Sequence, residues 1–189
     1  MRVRGLWLHV RRSPAGPTVV LDVDGVLVDS RLRELVAVEA SRGERSRFWA
    51  VFLSASLTHL DAPGPGLAFY AWARARGYNV AVVSGRPRRL AWDTLLQLNS
   101  LGVDPDVFVA REEGVYAKAQ RLKLEALRVL EAMGARVALL VDDSPEVVEA
   151  ARRLGYPAVT PLIALHWAAR GGGGERRVPG PSVLEHATA

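Results

Sequence analysis

Short apolar runs alternate along the chain with longer stretches whose apolar residues recur at helical spacing. The runs cover 19–23, 80–83, 107–109, 137–141 and 157–159. Each is too short for a stable helix and nearly continuous in Val, Leu and Ala, the pattern of a strand covered on both faces. Between them the spacing predicts helices over 65–76, 87–100, 120–133 and 145–154, with two short helices in an insert over about 31–60. Asp104-Pro105 and Gly155-Tyr156-Pro157 break the chain between elements. Strands alternating with helices give an α/β fold, a doubly wound parallel sheet with helices on both faces. No long linker divides residues 1–170, which read as a single domain. The four glycines from Gly171 and the polar, Pro-containing end after them predict a flexible tail over 171–189.

In an open α/β sheet ligands bind beyond the carboxyl ends of the strands, and this chain keeps acids there. The first run ends in Asp22-Val23-Asp24-Gly25, a spacing that puts both carboxylates on one side of an extended chain. Hard oxygen ligands suit Mg²⁺, which takes one or two carboxylates and leaves positions for water and phosphate. With a phosphate ester as substrate, Asp22 would attack phosphorus, and Asp24 would protonate the leaving alcohol and later deprotonate water. Taken alone, Asp-x-Asp-Gly is also an ordinary Asx turn.

Further signals downstream favour the chemistry. The second run ends in Ser84-Gly85-Arg86-Pro87, a hydroxyl, a permissive glycine and a cation suited to phosphate oxygens. The run over 137–141 ends in Asp142-Asp143-Ser144-Pro145, which adds acids and places Pro145 to open a helix. Arg111 follows the third run, and Lys123 starts the next helix, where a cation would hold phosphate and offset the acids. Lys118 precedes the same helix and is the alternative; these two are the only lysines in the chain.

Asp22-Val23-Asp24-Gly25, Ser84-Gly85-Arg86, Lys123 and Asp142-Asp143, in this order, resemble the four motifs of the haloacid dehalogenase (HAD) superfamily of aspartate-nucleophile phosphatases over about residues 18–160. The resemblance implies a HAD-like Rossmannoid sheet, with the 31–60 insert as a small helical cap over the active site. It implies a Mg²⁺-dependent phosphomonoester hydrolase working through an aspartyl-phosphate. Asp22 is then the nucleophile, Asp24 the general acid and base, and Ser84 and Lys123 the phosphate holders. Asp22, Asp142 and Asp143 would surround the metal, with Asp24 reaching it through its backbone carbonyl. Gly85, Arg86 and Arg111 would contact substrate. An acid at position 24 implies phosphoryl chemistry rather than dehalogenation, and the Lys-Thr-Gly-Thr run of transport ATPases is missing after Asp22. A finer similarity, the spacing of Arg111 to Lys123, is to the polynucleotide kinase 3′-phosphatase group. Val115 and Ala119 stand where that group carries acids, so a nucleic-acid 3′-end phosphatase is the alternative rather than the first reading.

Composition adjusts this picture only slightly. A net charge of +5 and a pI near 10.2 would suit a polyanion. The basic residues are nearly all Arg, spread through every segment, with no aromatic-basic stripe of the kind that stacks bases. Nucleic acid is therefore not favoured, and the expected partner is a phosphorylated small molecule or nucleotide. Arg2, Arg4, Arg11 and Arg12, like Arg176 and Arg177, read as solvated. The absence of Cys excludes disulfides and thiolate metal sites. The apolar stretch near Trp7 is too short for a secretion signal and no run approaches a membrane span, so a cytoplasmic protein is expected. In the insert, Trp49, Phe52, Leu53 and Leu57 predict a packing face, and Asp61 before Pro63-Gly64-Pro65 reads as a loop and helix-start device. His9, His166 and His186 show no metal-ligand spacing.

Two readings from other classes fit parts of the pattern. A phospho-accepting receiver module also gathers acids, a hydroxyl and a Lys around Mg²⁺, but its accepting Asp lies on a middle strand of the sequence. A non-catalytic adaptor on the same fold would have no physical reason to keep so many acids together. Hydrolysis of a generic phosphoester separates an enzyme from both.

Overall fold

The computed structural model describes residues 2, 3 and 5–170. In chain order these form β1 (Arg2–Val3), β2 (Leu6–Val10), β3 (Gly16–Leu21), β4 (Val28–Asp29), α1 (Arg31–Ser41), α2 (Arg45–Phe52) and a 3₁₀ turn (Ala55–Leu60). There follow β5 (Ala62–Pro63), α3 (Gly66–Ala75), β6 (Asn79–Pro87), a second 3₁₀ turn (Arg88–Leu90), α4 (Ala91–Ser100) and β7 (Val107–Arg111). The last elements are α5 (Ala119–Ala132), β8 (Ala135–Val141), α6 (Pro145–Arg153), β9 (Ala158–Val159) and α7 (Pro161–Arg170).

Alternation along the strands sorts the core into two layers. Val19 and Leu21 of β3 join Val80 and Val82 of β6 on one face, under Phe69, Trp72 and Ala73 of α3, Leu98 of α4 and Ala164 of α7. Val20, Ala81 and Val83 point the other way, against Leu122, Ala126 and Leu127 of α5 and Val147, Val148 and Ala151 of α6. Both faces of β3 are dry, so a slip of one residue would exchange the layers and move every side chain at its end. Among the described residues the strands form a seven-stranded sheet in the order β1-β2-β7-β6-β3-β8-β9. β3 pairs in parallel with both β6 and β8. The winding reverses beside β3, and a crevice for ligand opens at such a switch point.

The sheet is mostly parallel, with one departure from the expected all-parallel arrangement. β2 runs antiparallel to β7, and β1 antiparallel to β2. Leu6 and Leu8 of β2 are buried, while Trp7 packs against the opposite layer, so the apolar stretch near Trp7 is a strand. The β4–β5 pair leaves no mark in the spacing, since a two-residue strand shows no period, and α7 is a further helix beyond the predicted ones. No helix among the described residues is long and apolar enough to cross a membrane. The tail expected over 171–189, with Arg176, Arg177 and His186, lies outside the described residues, as does Arg4.

The insert leaves the sheet and returns through one narrow stem. Val28 pairs with Pro63 and Asp29 with Ala62, so α1, α2 and the first 3₁₀ turn all hang between β4 and β5. The predicted packing face is only partly such: no residue of α2 is buried, and Trp49 is 46% exposed. Phe52 instead lies beneath the Arg33 guanidinium, 4.3 Å from ring centroid to Cζ. The stem is tight because glycine permits it. Gly64 N–H donates to Leu27 O at 2.9 Å, and a Cβ on Gly64 would come within 2.3 Å of Val26 O and 2.6 Å of Leu27 C. Gly64→Ala should therefore destabilise the fold by about 1–3 kcal/mol, because backbone must yield. Urea unfolding checks this: a lower midpoint at unchanged slope is expected, and an unchanged midpoint would contradict the close approach.

Candidate active site

Asp22 follows directly from the end of β3. Its N–H donates to Val141 O of β8 at 3.0 Å, and its Oδ1 accepts from Val23 N–H at 2.7 Å. The chain then turns sharply, with the N–H groups of Val26, Leu27 and Val28 all directed at Val23 O. Gly25 makes this possible. It sits at φ +75°, and a Cβ there would lie 2.2 Å from Asp143 Oδ2. Val23, Val26 and Leu27 are fully buried and anchor the turn.

Asp142 and Asp143 end β8 in the matching place. Asp142 N–H donates to Val159 O at 3.2 Å, and its Oδ1 accepts from Ser144 N–H at 3.0 Å. Ser144 caps α6 by accepting from Val147 N–H, with Pro145 at the first helical position, which fixes the acidic loop to a rigid helix start.

Lys123 comes from the apolar face of α5, one stripe with Ala126, Leu127 and Leu130, and is 2% exposed. A buried ammonium needs partners. It donates to Val83 O at 2.7 Å and lies 2.5 Å from Asp22 Oδ1 and 3.0 Å from Asp142 Oδ2. Lys118, the N-cap residue of α5, is exposed, so it is Lys123 that the fold brings to Asp22.

The acids outweigh their cation. Asp22, Asp142 and Asp143 each offer an oxygen within 4.8 Å of the others. Burial, reinforced by Asp142 and opposed by Lys123, pushes the Asp22 carboxyl up to about 8. Burial and Asp142 push Asp143 up to about 6. Lys123 is held above the ordinary lysine range, because Asp142 and Asp22 overcome the burial that would lower it. Asp142 Oδ2 is buried and, apart from its ion pair with Lys123, has no hydrogen bond. An all-oxygen, acid-rich set with an under-satisfied buried oxygen fits a hard divalent cation such as Mg²⁺.

Asp24 belongs to a different network. Its oxygens accept from Arg86 Nε at 2.9 Å and Nη2 at 2.7 Å, a bidentate pair, and Oδ1 also meets Arg33 Nη2. Burial alone would raise this carboxyl, but Arg86 and then Arg33 hold it below the usual range. Arg86, expected as a substrate contact, is turned toward Asp24 and its neighbours. It is 1% exposed, and its Nη1 donates to Thr94 Oγ1 at 3.1 Å and Gln97 Oε1 at 2.8 Å, while Nη2 also reaches Asp61. Every N–H of that guanidinium has a partner inside the protein.

Asp61 is likewise more than a helix-start device. Its side chain is fully buried between Arg33 Nε at 2.8 Å and Arg86 Nη2 at 3.1 Å. Arg33 and Gln97 carry no signal of a buried role in their residue types, because charged and amide residues ordinarily read as surface. One signal was available: Arg33 shares a helical stripe with Ala37 and Ser41, and these three are the buried residues of α1.

The remaining expected residues, Ser84, Gly85 and Arg111, stand toward the carboxyl ends of β6 and β7. Ser84 is fully buried and its Oγ accepts from Arg86 N–H at 3.1 Å, within a shift of the β6–β7 register between Val83 and Pro87. Gly85 at that irregularity is exposed, with open space where a Cβ would stand. Arg111 is half-buried at the end of β7, opposite Pro87. Arg88 and Arg89 pair with Glu112 and Glu113. Arg11 and Arg12, read as solvated, both pair with Asp104.

No protein-family model and no curated protein matches this chain. Solved structures do. A chain of the Pnkp1/Rnl/Hen1 RNA repair complex superimposes over 84% of this chain with a TM-score of 0.59 at 24% identity. A protein from Mesorhizobium loti named as a HAD-like phosphatase matches over 94% of this chain and 99% of its own, at TM-score 0.55 and 16% identity. The class C acid phosphatase of Bacillus anthracis follows at TM-score 0.53 and 13% identity, over 85% and 81% of the two chains. The chain has a HAD-like fold. It spans 46% of the repair-complex chain, about half its length.

The raised acids fix a sign for metal binding. Asp22 and Asp143 take up protons on folding, because their folded values exceed the ordinary carboxylate value, so without a cation their contribution to stability falls as pH rises from about 4 toward about 8. A divalent cation competes with those protons. Millimolar Mg²⁺ should therefore raise the melting temperature more at pH 8 than at pH 5. Thermal melts at the two pH values test this, and an equal shift at both, or none, would contradict the acidic cluster as a metal site.

Proposed function

We propose that this protein is a Mg²⁺-dependent phosphomonoester hydrolase that works through an aspartyl-phosphate at Asp22. The observation that carries the reading is the convergence of Asp22, Asp142 and Asp143 within 4.8 Å around the buried ammonium of Lys123. Asp22, Asp142 and Asp143 would hold the cation, which when bound supplies positive charge beside the transferring phosphoryl group. Asp22 attacks phosphorus, and the bond from phosphorus to the leaving oxygen breaks. Lys123 compensates the charge gathered over the acids, with Ser84 at the phosphate. Asp24 gives a proton to the leaving alcohol, then takes one from the water that attacks the aspartyl-phosphate, which frees phosphate and restores Asp22. Its resting ionised state, held by Arg86 and Arg33, suits the second of these steps. An incoming phosphate dianion raises its proton affinity for the first.

The substrate is a phosphorylated small molecule or nucleotide admitted past the helical insert, with Gly85 and Arg111 at the rim. A second reading, a phosphate at the end of a polynucleotide, is favoured by one observation, the likeness to a chain of an RNA repair complex. A screen of phosphorylated metabolites, nucleotides and 3′-phosphorylated oligonucleotides, with Mg²⁺ and then with chelator, tests both readings. Turnover that persists after exhaustive chelation would contradict the metal requirement.

Two substitutions test the assignment of roles. Asp22→Asn should abolish turnover while leaving the melting curve near that of the wild type, since the amide fills the same volume but cannot attack phosphorus. Lys123→Ala should cut kcat by about a hundredfold or more, and the exposed Lys118→Ala by far less. Steady-state kinetics on purified variants decide this; the reverse ranking of the two lysines would move the role to Lys118.

A further inference from the structure

Asp61 has no place in the chemistry above, yet its side chain is fully buried, as is that of Arg33, and Arg86 is 1% exposed. The four charges alternate in a closed ring. Arg33 and Arg86 both meet Asp24 on one side, and on the other Arg33 Nε meets Asp61 Oδ1 at 2.8 Å while Arg86 Nη2 meets Asp61 Oδ2 at 3.1 Å. Two guanidinium groups gathered on a single carboxylate would repel each other, and Asp61 is the second anion that takes one oxygen to each. Gln97 locks this arrangement. Its Nε2 donates to Asp61 Oδ2 at 2.9 Å and to Thr58 O at 3.1 Å, while its Oε1 accepts from Arg86 Nη1 at 2.8 Å.

Asp61 also stands where the insert rejoins the sheet, between the first 3₁₀ turn and β5, whereas Arg33 comes from α1, Arg86 from β6 and Gln97 from α4. We propose that Asp61 is a positioning residue: by dividing Arg33 and Arg86 between itself and Asp24, it fixes the Asp24 carboxyl where the leaving oxygen departs. This rests on the phosphoester reading and deepens it, because the seating of the insert then sets the aim of the group that handles the leaving alcohol.

The distinguishing readout is sensitivity to the leaving group. An alkyl phosphate such as glycerol 2-phosphate needs proton donation to its departing oxygen, whereas p-nitrophenyl phosphate departs as a stable anion. Asp61→Asn should lower kcat for the alkyl ester by about tenfold or more beyond its effect on the aryl ester, in the same sense as Asp24→Asn. A general loss of packing would lower both alike. Because Asp61→Asn leaves two buried cations sharing one anion and can compromise folding, Gln97→Ala, which keeps all four charges, is measured beside it and should show the same selectivity to a lesser degree. Equal losses on both esters in folded variants, or no loss, would overturn the role of Asp61. Wild-type protein inert toward both esters with Mg²⁺ present would instead overturn the phosphoester reading, and this inference with it.

Discussion

Two carboxylates approach each other at the ends of β3 and β8 because one ammonium stands between them. Lys123 lies 2.5 Å from an Asp22 oxygen and 3.0 Å from an Asp142 oxygen, and its remaining contact, to Val83 O, ties it to β6. Three neighbouring strands are thus held at their carboxyl ends by one side chain reaching over from α5. The cost of burying that charge is offset by the acids that face it, and removing the ammonium would leave those acids without a cation. Asp143 adds a further acid nearby, so the arrangement retains an excess of negative charge.

A few residues along the same chain, the balance is reversed. Asp24 meets two guanidinium groups, and Asp61 joins it to complete a ring of alternating sign. The environments therefore push the two acids of Asp22-Val23-Asp24 apart: burial and Asp142 raise Asp22 to about 8, whereas Arg86 and Arg33 hold Asp24 low. Carboxyl groups separated in this way are suited to different tasks, one that holds its proton more tightly and the other ionised at rest. The sharp turn at Gly25 is what lets neighbouring residues enter such different surroundings.

Much of this was legible in the sequence wherever a period or a scarce residue type carried the signal. β3, β6, β7 and β8 show as apolar runs because both faces of each are covered, and their ends mark Asp22, Ser84, Arg111 and Asp142 by position. Lys123 stood out because the chain has only two lysines. The N-terminal strands did not, since their role as an antiparallel edge depends on which neighbour they pair with. The buried roles of Arg33, Asp61 and Gln97 did not for a deeper reason: an isolated charge or amide shows no such role until its partner, up to 36 residues away in this ring, is brought beside it. Arg86 was legible as a candidate, but its bidentate contact with Asp24 is a fact of tertiary packing.

The most direct measurement is chemical trapping of the covalent intermediate. Wild-type protein turning over a phosphoester with Mg²⁺ is quenched in acid, reduced with labelled borohydride, which converts an acyl phosphate to the alcohol, and digested for peptide mapping. Label on the peptide containing Asp22, at that residue and dependent on substrate, is the predicted result. Label on another residue, or none while phosphate is being released, would contradict the assignment of Asp22 as the nucleophile.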